Sequence, residues 1–365
     1  MAKKIVVIAA GGTGGHLFPA AAFAEEMFRR DWRVMLMTDA RGRRYAEGFP
    51  AERIEDVAAA SISANPITAI PAALKIMRGI NAAKQRFKEM PPALVAGFGG
   101  YPSFPALMAA RRFKIPILIH EQNAVLGRVN RAMAGSAAIV ACGFERLDRL
   151  PASAESRKRV VGNPVRLPIL AVRERPYPEA PAGGRFNLLI TGGSQGARIF
   201  GEVIPQGIAL LPQALRARLD VVHQVRDEQL AAVKQVYQNA GVNAEVATFF
   251  KDMGQRLGQA HLVISRAGAS SVTELQVAGR PAILIPFAAA ADDHQTANAE
   301  GLTSVGAADV FTEQEFSPGA LAALLERRLA DPHGLAVRAA AARASAKPEA
   351  AKTLADLTES LARSA

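Results

Sequence analysis

Residues 5–16 read IVVIAAGGTGGH, a short apolar run that ends in a glycine-rich turn. An unbroken apolar run followed at once by glycines predicts a buried strand and a tight turn into a helix. Glycines at such a turn let backbone N–H groups approach an anionic or polyhydroxylated ligand. The start of the chain therefore predicts the first strand and the ligand-binding turn of a nucleotide-type domain.

Two further glycine-rich turns follow apolar runs, at residues 97–101 and 192–196. The first and third turns lie about half a chain apart. Together with strands that alternate with helices throughout, this spacing predicts an α/β protein of two doubly wound, Rossmann-like domains that face each other across a cleft. The strand candidates are Lys4–Ala9, Arg33–Thr38, Ala93–Gly97, Ile115–His120, Ala137–Cys142, Phe186–Thr191, Leu219–Val225, Glu245–Phe250, His261–Ser265 and Pro281–Pro286.

A length of 365 residues fits two domains. The Gly-Asn-Pro run at 162–164 and the Pro/Ala/Gly-rich stretch at 176–184 mark the junction. We predict one domain over 1–165 and a second over 166–345, with a C-terminal helix at about 346–365 that packs back on the first domain.

The positive charge of the chain is concentrated in its N-terminal part. Residues 1–165 hold 24 Lys and Arg against 13 Asp and Glu, whereas the remaining residues hold 20 of each. Such a basic half is typical of proteins that bind nucleic acid, an anionic membrane or a phosphorylated substrate. Aromatic residues make up only 6% of the chain and no nucleic-acid module occurs, so membrane or phosphate is favoured.

Within this half, apolar residues recur at helical spacing between Ile67 and Met90. Ile67, Ile70, Leu74 and Met77 form the stripe, Ile80 and Phe87 continue it less regularly, and Lys75, Arg78, Lys84, Arg86 and Lys88 are interleaved. One interpretation is a surface that inserts apolar side chains among anionic lipid head groups. The other is an ordinary crossover helix with a solvated basic face.

The chain has a single cysteine, Cys142, which fits a reducing compartment and predicts a small core residue more than a reactive thiol. The apolar run near the N-terminus ends after six residues, too short for a secretory signal. No stretch of about 20 apolar residues occurs, so no membrane-spanning segment is predicted.

Residues 265–275, SRAGASSVTEL, follow another apolar run and begin a helix. Small residues there leave the helix N-terminus accessible, so its free N–H groups can bind a phosphate. Glu274 is either a ligand for a ribose diol or a carboxylate of the first helical turn. Asp292, Asp293 and His294 are too contiguous to converge on one metal ion and suit sugar hydroxyls better.

Neither common nucleotide motif is complete. Gly12–Leu17 departs from G-x-G-x-x-G at its last position, and no P-loop occurs. The ordered set of motifs instead resembles the MurG family of bacterial N-acetylglucosaminyltransferases over nearly the whole chain. The motifs are Gly11–His16, Gly99–Tyr101, His120–Asn123, Val161–Arg166, Gly192–Arg198, Ser265–Ala269 and Asp293–Gln295.

The resemblance implies a GT-B enzyme that moves N-acetylglucosamine from UDP-N-acetylglucosamine to lipid I, the undecaprenyl-diphosphate muramyl pentapeptide, giving lipid II for peptidoglycan. It implies a peripheral protein on the cytoplasmic face of the inner membrane, with an anionic membrane surface as partner, no nucleic acid and no cofactor. The implied donor-binding residues are Thr13, Gly14, Gly15, Asn123, Arg166, Ser194, Phe250, Arg266, Ala269, Ser270, Ser271, Val272, Thr273, Glu274, His294 and Gln295. The implied acceptor-binding residues are Gly12, Thr13, Gly14, Gly99, Gly100 and Tyr101.

Inverting transfer needs a base on the acceptor hydroxyl and positive potential at the departing UDP. No metal-binding carboxylate pair is present in the sequence, so helix N-termini and Arg266 are expected to supply that potential. His16 is the candidate base, because imidazole titrates near neutrality. The alternative role for His16 is to orient its loop or bind the acceptor phosphate. Which of Asp293, His294 and Gln295 contacts the sugar stays open.

Two other functions are compatible with parts of this pattern. A UDP-sugar epimerase, or another glycolipid transferase, shares the architecture, but a soluble epimerase has no use for the apolar and basic stripe. A basic protein that binds RNA or membranes without catalysis leaves the turns at 192–196 and 265–274 unexplained.

Overall fold

The chain folds into two compact units. The computed structural model describes residues 3–12, 14–44, 46–60, 66–178, 183–193 and 196–364. The first unit comprises Met1–Arg166 and Lys347–Ala365, and the second comprises Leu167–Ala346. Each unit is built around its own hydrophobic core.

The described residues of the first unit form a seven-stranded sheet in the order β3-β2-β1-β4-β5-β6-β7, in which every neighbouring pair is parallel. Its strands are β1 (Ile5–Ala9), β2 (Arg33–Thr38), β3 (Arg53–Asp56), β4 (Leu94–Gly97), β5 (Ile117–Glu121), β6 (Ile139–Cys142) and β7 (Lys158–Val160). Its helices before the domain junction are α1 (Gly14–Arg29), α2 (Ala40–Arg43), α3 (Pro66–Glu89), α4 (Ser103–Phe113) and α5 (Arg128–Met133), with 3₁₀ turns at Ala134–Ser136 and Ala152–Arg157.

The second unit forms a six-stranded sheet among its described residues, in the order β10-β9-β8-β11-β12-β13 and again parallel. Its strands are β8 (Phe186–Thr191), β9 (Leu219–Gln224), β10 (Asn243–Ala247), β11 (Leu262–Ser265), β12 (Ala282–Leu284) and β13 (Ala308–Val310). Its helices are α6 (Leu167–Arg173), α7 (Arg198–Ala209), α8 (Gln213–Arg216), α9 (Leu230–Asn239), α10 (Met253–Gln259), α11 (Ala269–Ala278), α12 (His294–Thr303), α13 (Pro318–Ala330) and α14 (Pro332–Ser345), with 3₁₀ turns at Asp227–Gln229 and Ala291–Asp293. The helix that follows, α15 (Ala350–Ser364), belongs to the first unit.

Both faces of the first sheet are covered, which explains its unbroken apolar strands. Successive residues of β1 enter different cores: Val7 joins the cluster that includes Phe87, and Val6 joins the cluster that includes Phe23 and Leu354. Leu354 lies on α15, and Asp356 of the same helix pairs with Arg30 at 2.6 Å. Burying a leucine of this kind stabilises the fold by about 1.5–3 kcal/mol. The C-terminal helix is therefore part of the first unit's core.

The two parallel sheets confirm the prediction of two doubly wound α/β domains. The sequence pattern missed three strands, β3, β7 and β13. All three lie at the edge of a sheet, and β3 reads Arg-Ile-Glu-Asp. An edge strand is not buried on all sides, so its side chains need not be apolar. The strand expected at Glu245–Phe250 is shifted to Asn243–Ala247.

In each sheet, the chain reverses its direction of winding next to the first strand. These switch points lie between β1 and β4 in the first unit and between β8 and β11 in the second. Open parallel sheets bind ligands at the carboxyl ends of the strands that flank such a point. The glycine turns at 11–16 and 97–101, and the turns at 192–197 and 265–269, follow these four strands. The fold thus brings the sequence motifs together in two pairs.

Candidate active site

The two glycine turns of the first unit pack against each other. Gly12, Gly99 and Gly100 have φ angles of +88°, +88° and +77°, a region that side chains other than glycine rarely adopt. A Cβ on Gly100 would lie 2.6 Å from the carbonyl oxygen of Gly11, so no side chain fits there. Thr13 lies outside the described residues. The backbone amides of both turns are thereby brought to one edge of the sheet.

His16, in the first turn of α1, is half-buried beside the second glycine turn. A Cβ on Gly99 would lie 3.2 Å from Cε1 of His16, and one on Gly100 would lie 3.5 Å from Cδ2. Nδ1 of the same ring lies 3.0 Å from Oε1 of Gln122. The imidazole is therefore held between a glycine turn and the loop that follows β5. Gly14 is buried, Gly15 exposed and Tyr101 40% exposed at this edge.

Glu121 organises the loop that follows β5. Its carboxylate is buried and accepts four hydrogen bonds. Oε1 accepts from the backbone N and from Nδ2 of Asn123, at 3.0 and 3.2 Å, and Oε2 accepts from Gly127 N and Asn130 Nδ2, both at 2.9 Å. Such an arrangement satisfies the hydrogen-bonding capacity of a buried carboxylate. Glu121 therefore positions the half-buried side chain of Asn123.

His120 and Gln122 join His16 in a chain of hydrogen bonds that the sequence analysis did not assign to the site. Nε2 of Gln122 lies 3.0 Å from Nδ1 of His120 and 3.1 Å from its carbonyl oxygen, and Nε2 of His120 lies 2.9 Å from the carbonyl oxygen of Gly162. Burial lowers the pKa of His120 to about 4, so its ring is neutral at pH 7. The signal in the sequence was the motif His120–Asn123, which stands at the end of a buried strand.

Arg166 ends the N-terminal segment of the first unit, although the resemblance assigns it to the donor. Its guanidinium lies 4.6 Å from the ring centroid of Phe18, a cation–π contact next to the first glycine turn.

The first turn of the second unit is tight and glycine-dependent. Gly193 and Gly196 have φ angles of +74° and +67°, and a Cβ on Gly192 would collide with the amide of Ala197. Ser194 lies outside the described residues. Thr191 stabilises the turn, since its Oγ1 accepts from the backbone N of Gly193 at 3.3 Å and donates to Gln224 at 2.8 Å. Among the described residues of this turn, Gly192 leaves no room for a side chain.

Helix α11 begins at the second turn of this pair without a capping side chain. Gly268 is its N-cap, and no side chain hydrogen-bonds the cap position. Oγ of Ser270 is buried and has no hydrogen-bond partner among the described residues. Free N–H groups at a helix N-terminus, together with the helix dipole, attract phosphate. Ala269 and Ser271 belong to the same turn.

The other predicted donor-binding residues of α11, Val272, Thr273 and Glu274, differ in burial. Val272 and Thr273 are buried, and the backbone N of Val272 donates to the carbonyl oxygen of Gly268 at 2.9 Å. Glu274 is half-buried one turn into the helix.

The side chain of Arg266 is committed within the protein. Its Nη2 pairs with Glu313 at 2.6 Å, and Nη1 donates to the carbonyl oxygens of Ile285 and Pro286, at 3.1 and 3.3 Å. The guanidinium also lies 5.3 Å from the ring of Phe287. The carboxylate of Glu313 partly offsets the positive charge of Arg266. The two hydrogen bonds to backbone carbonyls attach Arg266 to the start of the loop that follows β12.

That loop carries His294 and Gln295. Oε1 of Gln295 accepts from the backbone N of Phe287 at 3.0 Å, and Nδ1 of His294 lies 2.7 Å from the carbonyl oxygen of Ala291. Asp292 and Asp293, just before them, have φ angles of +57° and +51°. Two successive residues in this region store strain, which is common at binding sites.

Phe250 is buried, and the guanidinium of Arg256 lies 4.1 Å from the centroid of its ring. The neighbouring Phe249 is 68% exposed. An exposed aromatic ring after the end of β10 is a feature that the sequence analysis did not single out.

The apolar stripe of α3 divides into two faces. Ile70, Leu74 and Met77 are 68%, 54% and 58% exposed, whereas Phe87 is buried in the core and Ile80 is half-buried. Phe87, which continues the apolar stripe in the sequence, therefore belongs to the core rather than to the exposed face. The side chain of Ile67 lies outside the described residues. None of the helices in the described segments has the length and apolarity needed to cross a lipid bilayer.

Two further observations concern the cysteine and groups of potential metal ligands. Cys142 is a buried core residue, as predicted, and burial raises the pKa of its thiol to about 12. Among the described residues, no three His, Cys, Asp or Glu side chains form a group that could hold a metal ion.

Comparison with known proteins identifies the family. Residues 6–142 match the glycosyltransferase family 28 N-terminal domain, and residues 187–354 match the family 28 C-terminal domain. The chain belongs to glycosyltransferase family 28. It is accordingly a glycosyltransferase, and its two parallel α/β units are those of the GT-B fold.

Relatives in family 28 match the chain over its whole length. It is 52% identical to an enzyme of Maricaulis maris (strain MCS10) over 362 residues, 99% of this chain and 98% of the relative. It is 49% identical to one of Caulobacter vibrioides (strain NA1000 / CB15N) over 364 residues, 99% and 100% of the two chains. Both are named UDP-N-acetylglucosamine–N-acetylmuramyl-(pentapeptide) pyrophosphoryl-undecaprenol N-acetylglucosamine transferase. The crystal structure of Acinetobacter baumannii MurG matches with 33% identity and a TM-score of 0.80, covering 98% of this chain and 99% of that one.

Each of the two matched family 28 domains contains its own set of the predicted residues. The N-terminal domain model includes His16, the glycine turn at 97–101 and Gln122. The C-terminal domain model includes the turns at 192–197 and 265–269. Arg166 lies in the stretch between the two matched regions.

Proposed function

We propose that this chain transfers N-acetylglucosamine from UDP-N-acetylglucosamine to the C4 hydroxyl of the muramyl residue of lipid I, giving lipid II in peptidoglycan synthesis. The observation that carries the proposal is the full-length identity of 52% to an enzyme of that name in family 28. In the reaction, the acceptor oxygen forms a bond to the anomeric carbon of the sugar, and the bond from that carbon to UDP breaks. The hydroxyl proton passes to a base, and configuration inverts.

In this proposal the second unit holds the donor. The free amides at the start of α11, from Ala269 to Ser271, and the turn at 192–197 bind the diphosphate. They also stabilise the charge that develops on UDP as it departs. Glu274 binds the ribose, the backbone at Phe250 binds the uracil, and the loop that carries His294 and Gln295 holds sugar hydroxyls.

Roles are proposed in the same way for the first unit. The turns at Gly12 and at Gly99–Tyr101 bind the acceptor diphosphate through backbone amides, supported by their left-handed glycines. Asn123, positioned by Glu121, and Arg166 are assigned to the donor. His16 takes the proton of the acceptor hydroxyl, because it is the half-buried imidazole at the edge where both turns meet.

The exposed face of α3 suits contact with an anionic lipid surface. Ile70, Leu74 and Met77 lie in the N-terminal half of this helix, with Lys75 and Arg78 exposed among them. Since α3 connects two parallel strands, its N-terminal half lies toward the carboxyl edge of the sheet, where the glycine turns are. We therefore propose a peripheral protein on the cytoplasmic face of the inner membrane, which places its acceptor-binding turns near the lipid.

The test is transfer of radiolabelled N-acetylglucosamine from its UDP donor to a lipid I analogue, with a chelator present and no added metal. Labelled disaccharide lipid is the expected product, and the His16→Ala variant should form it far more slowly while it binds UDP as well as the wild type. If the donor is left intact or converted to its 2-epimer, the proposal fails.

A further inference from the structure

We propose that Gln122 is a positioning residue that holds His16 in the Nδ1–H tautomer, with His120 as the anchor of Gln122. The inference rests on the proposed function, in which His16 accepts a proton. It adds which ring nitrogen of His16 accepts the proton, and which hydrogen bonds determine the tautomer of that ring.

The argument begins at His120. Its Nε2 lies 2.9 Å from the carbonyl oxygen of Gly162, and a carbonyl can only accept, so Nε2 carries the proton. The ring is completely buried and neutral at pH 7, because burial lowers its pKa to about 4. A neutral imidazole has one N–H, so Nδ1 of His120 presents a lone pair.

The orientation of the Gln122 amide follows from this lone pair. One end of the amide faces two acceptors at once, Nδ1 of His120 at 3.0 Å and the carbonyl oxygen of the same residue at 3.1 Å. Only the NH₂ group, which has two protons, satisfies both. The reversed amide would set its oxygen against two acceptors. Oε1 of Gln122 therefore faces away from His120 and toward His16.

The tautomer of His16 is then determined. Oε1 of Gln122 can only accept and lies 3.0 Å from Nδ1 of His16, so that nitrogen must carry a proton. In the neutral ring Nε2 is consequently the unprotonated nitrogen, and it is the one that takes the hydroxyl proton of the acceptor. The resulting imidazolium keeps its Nδ1–H bond to Gln122.

Packing holds the ring in the same place. Gly99 and Gly100 border the imidazole so closely that a Cβ on Gly99 would lie 3.3 Å from Nδ1 of His16. No described residue hydrogen-bonds Nε2 of His16. The nearest carboxylate in this hydrogen-bonded cluster, that of Glu121, is occupied by its four N–H donors and does not reach His16.

The primary test reads the tautomer directly in the full-length protein, without substrate. The chain has six histidines, and selective ¹⁵N labelling of their rings, with His16→Asn to assign the signal, reports which nitrogen of His16 is protonated. The expected result is a protonated Nδ1 in the wild type at pH 8. A protonated Nε2 overturns the inference.

Variants of Gln122 then link the tautomer to turnover. Gln122→Leu removes the acceptor, so His16 should populate both tautomers and kcat should fall by about 10²-fold with KM for UDP-N-acetylglucosamine unchanged. Gln122→Glu keeps an oxygen toward His16 but loses the NH₂ group that bonds His120, so it should retain the Nδ1–H tautomer of His16 while the protein unfolds at a lower temperature than the wild type. Gln235→Leu, at an exposed glutamine of α9, is the matched control and should behave as the wild type.

The outcomes separate this inference from the proposed function. If the wild type does not transfer the sugar, the function is wrong, and the ¹⁵N spectrum still decides the tautomer. If transfer occurs but Gln122→Leu keeps both the tautomer and kcat, the positioning role is wrong and the function stands. Should Gln122→Leu not fold, the wild-type spectrum still decides the tautomer, and a protonated Nε2 of His16 overturns the inference.

Discussion

Gly99 borders His16 so closely that a Cβ at this glycine would lie 3.2 Å from Cε1 of the imidazole. The contact joins two sequence motifs that are more than 80 residues apart, and it places the candidate base against the second glycine turn. It also makes Gly99 sensitive to the smallest substitution.

Gly99→Ala should lower kcat by about tenfold or more, since alanine at a φ of +88° carries roughly 1–2 kcal/mol of strain and its methyl group displaces His16. Affinity for UDP should change little, because the turns proposed to bind the diphosphate of UDP belong to the second unit. Gly135→Ala is the control: this glycine is exposed, and a Cβ there meets nothing within 4 Å. Steady-state transfer assays measure kcat for both variants. Equal kcat values for Gly99→Ala and Gly135→Ala would contradict the prediction.

Glu274→Ala should weaken UDP binding by about tenfold, the effect of losing a hydrogen bond to a charged group. The half-buried carboxylate lies one turn into α11, next to the proposed diphosphate site. Isothermal titration with UDP measures the change. Glu326→Ala, at an exposed position of α13, should leave the affinity as it is. Unchanged UDP affinity in Glu274→Ala would remove this residue from the nucleotide site.

Leu74→Gln combined with Met77→Gln should reduce binding to vesicles that contain phosphatidylglycerol by at least about tenfold. Each side chain is more than half exposed, and burying such a side chain in lipid contributes on the order of 1–2 kcal/mol. Vesicle sedimentation at low and high salt measures the binding. Leu210→Gln changes a leucine of the second unit that is 62% exposed and should have no effect. Equal loss in both would show that the α3 face is not the membrane contact.

Arg280→Met should destabilise the protein by about 3 kcal/mol. This buried arginine donates to the carbonyl oxygens of Leu257, Gly258, Ala278 and Gly279, near the ends of α10 and α11. Burial lowers its pKa to about 10, so it remains charged at pH 7 and interacts favourably with helix C-termini. Methionine leaves the carbonyls without their donor.

Thermal unfolding checks this prediction. Arg327→Met, at an exposed arginine of α13, is the control and should unfold near the wild-type temperature. Arg280→Lys should recover only part of the loss, because a lysine has fewer donors in a less defined geometry. A full recovery by lysine would mean that charge, rather than the set of hydrogen bonds, explains the role of Arg280.

The protein should lose stability on acidification below pH 6.5, in part through His223. Burial lowers the pKa of this histidine to about 3, and Nδ1 lies 2.9 Å from the hydroxyl of Tyr237. The unfolded chain takes up a proton near pH 6.5 while the folded chain does not. The contribution of His223 is therefore complete above pH 6.5 and decreases by about 1.4 kcal/mol per pH unit down to pH 3.

Unfolding temperatures between pH 4 and 7 test this dependence. His223→Leu with Tyr237→Phe removes both members of the buried pair and should make the decrease shallower, leaving the contribution of His120. Tyr237→Phe alone keeps the histidine and should retain the wild-type slope. If the double variant also retains it, His223 does not cause the acid sensitivity.

The sequence was most informative where burial is complete. Strands such as β1 and β8 lie in the middle of a parallel sheet, where both faces are covered, so their residues must be apolar and the runs are visible. The edge strands β3, β7 and β13 were missed. They are held by backbone pairing, as in Met35 with Arg53, and that pairing leaves no mark in side-chain type.

The stripe on α3 shows a second limit. Phe87 and Met77 both fit an apolar helical pattern, yet one is buried and the other exposed. Only the packing of α3 against the sheet and α4 distinguishes the two faces. A helical repeat identifies a face, but it does not say what covers it.

Two parallel α/β domains, the positions of their glycine turns and the family of the enzyme could all be predicted from the amino-acid sequence. These features are local, since a buried strand needs consecutive apolar residues and a tight ligand-binding turn needs glycine. Tertiary structure alone decided that Gln122 lies 3.0 Å from His16, that His120 anchors Gln122, and that Arg266 is committed to Glu313. Hydrogen bonds between groups many residues apart depend on how the strands and loops are placed in space, which no local pattern specifies.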